Sequence, residues 1–157
     1  MIKILAIGAI FAVAIWLGRG YAAFCDRRIG EIRGICDLLL HLEEKICHSM
    51  SFGAELYRDF TNEFLLRSGF LDCIKDSENS TEACEKLSLP KEIKDKILAL
   101  FSSFGRGYLD EEIGRLRRGR EELLTDCERL SESMEKNKRV VNALLFGAFA
   151  SLGIIMM

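Results

Sequence analysis

The chain has a single proline, Pro90, in 157 residues. Proline interrupts helix interiors and central strands, so long stretches here are free to run as unbroken helix. There are only two histidines, His41 and His48, and none of the six cysteines stand as Cys-x-x-Cys. Paired ligand spacing for zinc is therefore missing. Glycines and lysine in phosphate-loop spacing are missing as well. Charge is absent from both ends. Lys3 is the only charged residue in 2–18, and 140–157 has none. The middle, 19–139, holds all 24 acids and 22 − 1 = 21 of the lysines and arginines, a net charge of 21 − 24 = −3.

The apolar ends, 4-LAIGAIFAVAIWLG and 140-VVNALLFGAFASLGIIMM, admit several readings. Each run is about 17–18 residues, or roughly 26 Å of helix against a hydrocarbon core of about 30 Å. A buried core helix would show a polar face, and neither run has one. A cleaved signal peptide needs small residues after its apolar run, where Arg19 and the bulky Phe24 stand instead. The alternative of a cleaved signal with a C-terminal anchor is weakened by the same residues. With snorkelling arginines making up the length, the pattern predicts transmembrane helices at 1–18 and 140–157 around a domain at 19–139. Arg19, Arg27, Arg28 and Arg33 follow the first run, and Arg129, Lys136, Lys138 and Arg139 precede the second. The positive-inside rule then puts 19–139 in the cytoplasm and both termini on the far side of the membrane, with lipid as one partner.

The middle reads as helix throughout, giving an all-α class. From Tyr21 to about Ser49, Cys25, Ile29, Ile32, Cys36, Leu39, Ile46 and Met50 follow alternating spacings of 3 and 4. Gly30 and Gly34 weaken that helix without ending it. Ser51–Arg67 reads as a second helix with Leu56, Phe60 and Phe64 on one face, closed by Ser68-Gly69. Short pieces at 70–76 and 81–88 flank the polar loop 76-DSENST, and Pro90 opens 91-KEIKDKILALFSSF. Beyond a corner, Ile113, Leu116, Leu123, Cys127, Leu130 and Met134 carry a 3/4 seam into the last apolar run. The two long seams could each join another copy in a coiled coil. An antiparallel partner within the chain is available, so the expected architecture is a helical bundle around a long antiparallel pair.

The corner itself, 101-FSSFGRGYLDEEIGRL-116, poses a choice between cradling a phosphate and turning a chain. Gly105 stands where a helix-ending C′ glycine belongs, and Gly107 permits a second unusual backbone angle. Asp110 is placed to cap the next helix, with Glu111 and Glu112 favourable in its first turn. A phosphate loop needs a preceding strand, and three carboxylates beside it would repel phosphate. The corner reads as a turn, with no cofactor, no nucleic acid and no small-molecule substrate expected.

Cys25, Cys36 and Cys47 recur every 11 residues, about three helical turns, as do Cys73 and Cys84. Cysteines on one helix stripe point the same way and cannot bridge one another, so buried small hydrophobes explain them better than disulfides. His41, Cys47 and His48 lack metal-ligand spacing, and His41 reads as a helix-surface residue. No nucleophile–base set is evident, so no enzyme is expected. The rival is a small enzyme using His41, His48 or a cysteine.

Two charges fall on the apolar seams, Glu43 on the first and Arg120 on the last. By residue count they lie roughly 38 and 30 Å along their helices from the apolar ends. An antiparallel pair brings them within reach of each other, so they are candidates to fix its register. The competing reading has each at the helix rim, meeting only water.

Three stretches resemble the stage III sporulation protein AB family of endospore-forming bacteria: 38-LLLHLEEKI, 104-FGRGYLDEE and 144-LLFGAFASLGIIMM. They match, in order, the family's leucine-rich Leu-Glu-x-x-Ile stretch, its glycine corner and its final apolar run. The chain departs from that pattern in having Leu109 in place of a serine, Gly114 in place of a glutamine and no Thr-Pro-Leu near 49–53. The resemblance implies a non-enzymatic component of the mother cell–forespore channel, similar to the helical domain of type II secretion platforms. Its implied partners are a secretion-type ATPase and other membrane proteins of the channel, and its implied place is the mother-cell membrane. A helical adaptor or sensor outside sporulation is the alternative.

Overall fold

A computed structural model describes residues 2–49, 55–77, 79–105 and 107–156. Among them are seven helices and no strand: α1 (Ile2–Ser49), α2 (Glu55–Arg58), α3 (Glu63–Ser68), α4 (Phe70–Ser77), α5 (Ser80–Lys86), α6 (Lys91–Ser103) and α7 (Leu109–Met156). The protein is all-α.

Among the described residues, no helix is long and apolar enough to cross a membrane. This overturns the expected transmembrane helices at the two ends and the two-span placement in the mother-cell membrane. The physical shortfall is one of length. Runs of about 26 Å fall short of a core of about 30 Å, a gap that only snorkelling arginines would close.

The chain divides into two compact units, Met1–Asp26 with Leu130–Met157, and Arg27–Arg129. In the first unit, Cys25 and Met134 are buried while Trp16, Val140 and Leu144 are exposed. Lys138 there reaches Asp26 at 3.4 Å.

The second unit carries the larger core. Ile32, Ile35, Leu38, Leu39 and Leu42 of α1 are sealed from solvent together with Leu56, Leu65, Phe70, Ile97 and Leu123. Burying each such side chain stabilises the fold by roughly 1.5–3 kcal/mol. The helix expected over 51–67 is interrupted. Asn62 takes an extended conformation, and its side chain accepts from the amides of Phe64 and Leu65, starting α3 afresh. An asparagine oxygen competes with the helix ladder in this way, which an apolar-spacing argument does not register. At the far end of α3, Gly69 is left-handed at φ 79°, as Ser68-Gly69 suggested.

Gly30 and Gly34 have a packing reason. A β-carbon on Gly30 would lie 2.4 Å from the Phe64 ring, and one on Gly34 would lie 2.8 Å from the Asn62 side chain. The two glycines form a notch in α1 that receives the start of α3. Asn79 caps α5, and Pro90 stands at the N-cap position of α6.

Candidate functional site

At the corner, Phe104 is extended and its amide donates to the Phe101 carbonyl at 3.2 Å, ending α6. Gly105 follows at φ 80°, the left-handed seat expected of it. Gly107 has no such angle. Its amide instead donates to Glu112 Oε1 at 2.8 Å. Glu112 is buried and also pairs with Arg115 in the next turn. Its own amide donates to the Tyr108 carbonyl at 3.0 Å, in the first turn of α7. The side chain that closes the start of α7 is therefore Glu112, reaching back across the turn as the acid of a capping box does. Asp110, expected to cap, is exposed within the first turn, where its charge favours the helix dipole. The cleft outside the corner is lined by Gly107, Asp110, Glu111, Gly114, Arg115 and Arg118. Its carboxylates leave an electrostatically mixed wall, unsuited to concentrating phosphate.

The long helices of the second unit meet through charged and thiol side chains. Glu43 pairs with Arg117, Nη2 to Oε1 at 2.6 Å, rather than with Arg120. Glu43 is largely covered, and its hydrogen bond and charge raise the Arg117 pKa above the ordinary arginine range. Arg120 meets α1 one turn further along. Its carbonyl accepts from Cys36 Sγ at 4.0 Å, and its buried Nε has no hydrogen-bond partner. Arg33 lies close enough to Cys127 to oppose the rise of that thiol's pKa. Partner numbers on α7 rise as those on α1 fall, which is the antiparallel sense. The expected pairing was thus misplaced by one turn of α7. Seam spacing alone ranks Arg120 as the inward residue, but a long guanidinium reaches in from the rim at Arg117.

A second cross-link had no counterpart in the apolar pattern. Glu31, fully buried, accepts from the Ser88 amide at 2.6 Å and from Arg27 Nε at 2.9 Å. Arg28 Nε donates to the carbonyl of the same Ser88 at 2.6 Å. Adjacent turns of α1 thereby hold both backbone polar groups of one loop residue. The available signal in the sequence was an acid at the core-facing position between Arg28 and Ile32.

None of the six cysteines is joined in a disulfide. Cys25, Cys36, Cys84 and Cys127 are buried, Cys73 is half-buried, and Cys47 is exposed, against the expectation of a uniformly buried stripe. Burial is the first cause that pushes the Cys36 thiol up to about 12 and Cys84 up to about 11. It also raises Cys127, with Arg33 opposing. Such thiols stay protonated and unreactive at neutral pH. His41, expected at the surface, is half-buried against Phe60, with ring centroids 5.4 Å apart. His48 is exposed, and its Nδ1 lies 2.8 Å from the Glu44 carbonyl. Among the described residues, no three His, Cys, Asp or Glu side chains are grouped so as to hold a metal ion.

Comparison with protein-family models, curated proteins and solved structures gives no match to this chain.

Proposed function

We propose that this protein is a non-enzymatic docking component of the mother cell–forespore channel apparatus, a helical platform that couples a secretion-type ATPase to other proteins of that assembly. The observation that carries the reading is the helix pair of the second unit, cross-linked at Glu43–Arg117 and Cys36–Arg120, with charged side chains left on its outer surface. A rigid, charged two-helix surface suits protein recognition, where complementary charge sets partner choice and encounter rate. Glu43 lies in 38-LLLHLEEKI and Gly105 in 104-FGRGYLDEE, two of the stretches that resemble the stage III sporulation protein AB family. No membrane span forms part of this reading.

The test is crosslinking of the tagged full chain in a sporulating endospore-former, followed by identification of captured proteins. Capture of a secretion-type ATPase supports the reading. Absence of every channel component leaves a helical adaptor or sensor outside sporulation. Alanine at His41, His48 and the cysteines should leave capture and sporulation intact. Loss of sporulation with capture retained would favour the enzyme.

A further inference from the structure

We infer that a second copy of this chain is the partner of the outer face of α1 in the first unit, the two α1 helices packing antiparallel with Trp16 of each copy seated on Gly20 of the other. This self-association is independent of the docking role proposed above.

Helix α1 has two sides in that unit. Gly18, Tyr21 and Ala22 are half-buried and Cys25 is buried, which marks the side turned inward. Val13, Trp16, Gly20 and Ala23 are all exposed at spacings of 3, 4 and 3, so they form one stripe on the opposite side. Val13 is 57% and Trp16 75% exposed, with Leu17 beside them at 53%. A β-carbon added to Gly20 would meet nothing within 4 Å. The chain's single tryptophan therefore stands exposed one turn away from bare helix backbone.

The order along the stripe is large, large, small, small. A copy laid antiparallel presents the reverse order, so Trp16 meets Gly20, Val13 meets Ala23, and each contact occurs twice. Large against small at facing positions is how packed helices interdigitate, and 3/4 spacing keeps such contacts in line. A parallel copy would set Trp16 on Trp16 and leave a gap between two glycines. The stripe is thus complementary in shape to its own reverse, which identifies the occupant as a copy. The two-fold arrangement closes on itself and stops at a dimer.

Charge stands only around the stripe. Its next position, Arg27, ends it, with the guanidinium held by Glu31 at 2.9 Å. Arg19 is exposed on one flank, where the antiparallel copy brings its own Arg19, and Asp26 on that flank is occupied by Lys138. Like charges at an exposed rim repel weakly and are screened, so the dimer should tighten as salt is added. Val13, Trp16 and Leu17 with the small residues between them offer on the order of 400 Å² per copy, about 800 Å² in all, the size of a weak, reversible interface.

The test is sedimentation equilibrium of the full chain, expected to show a monomer–dimer equilibrium with a Kd on the order of micromolar. Trp16 fluorescence should move to the blue as concentration rises. Trp16→Ala sets small against small and Gly20→Trp sets large against large, so each alone should weaken the dimer at least about tenfold. Trp16→Ala combined with Gly20→Trp restores large against small and should recover most of the affinity. A mixture of the two single variants should likewise form a heterodimer. Helical circular dichroism checks that every variant is folded. A chain that stays monomeric, a dimer indifferent to either substitution, or a double variant as weak as the singles overturns the inference. So does uptake of the monomer by phosphatidylcholine vesicles, with the fluorescence shift but without a dimer.

Discussion

Glu43 on α1 and Arg117 on α7 stand 74 residues apart in sequence and 2.6 Å apart in space. The contact is one-sided in exposure, with Arg117 58% open and Glu43 12% open. A double-mutant cycle should therefore find Glu43→Ala and Arg117→Ala non-additive in thermal unfolding. The cycle of Glu43→Ala with Arg120→Ala should be additive. Coupling to Arg120 instead would show that the guanidinium one turn away is the working partner. The Glu43–Arg117 coupling should weaken with salt, because Arg117 faces water.

Glu31 makes a stronger case for stability. Glu31→Ala leaves the Ser88 amide without its acceptor at the protein interior, at a cost of roughly 1–3 kcal/mol. Glu31→Gln retains a carbonyl oxygen able to accept from Ser88 and should cost less. Chemical denaturation of the two variants checks the order. Equal loss in both would mean that the charge toward Arg27, and not the loop contact, holds the site together.

Gly30→Ala should destabilise by about 1–3 kcal/mol, because the added methyl overlaps the Phe64 ring and the helices must separate. Combination with Phe64→Leu, which shortens the opposing group, should recover part of the loss. Independent, additive effects in denaturant would contradict direct contact.

The thiols predict a pH dependence with a definite sign. Cys36 ionises at about 12 in the folded chain against an ordinary 9.0, and Cys84 at about 11. Above pH 9 the unfolded chain releases thiol protons that the folded chain keeps, so stability is full below about 9 and declines from there toward 12. Cys36→Ala should flatten that decline, as read from unfolding midpoints between pH 8 and 11. At neutral pH an aqueous thiol reagent should modify Cys47 first, and Cys36, Cys84 and Cys127 only as the chain unfolds.

Much of this architecture was legible in spacing alone. The 3/4 seams of α1 and α7, the single proline before α6 and the helix-ending Gly105 each follow from local rules, and each stands where those rules put it. What spacing missed was polar and long-range. Asn62 restarts a helix through a side-chain oxygen, Glu112 caps from inside its own helix, and Glu31 meets a loop 57 residues away. Apolar periodicity says which face turns inward but is silent on which polar atom satisfies another there. The same blindness ranked Arg120 above Arg117. The register of two packed helices is fixed by side-chain reach, which one helix viewed alone does not show. At the ends, counting apolar residues suggested spans because the count came close to a bilayer's thickness without attaining it.

The grip on Ser88 turns a loop amide into a reporter. An amide in an irregular segment between α5 and α6 would ordinarily exchange with solvent deuterium almost as fast as in a free peptide. This one is tied to a carboxylate with no solvent contact, so it exchanges only when α1 lets go of the loop. Its protection factor consequently measures the opening of that junction, separately from the fraying of any helix.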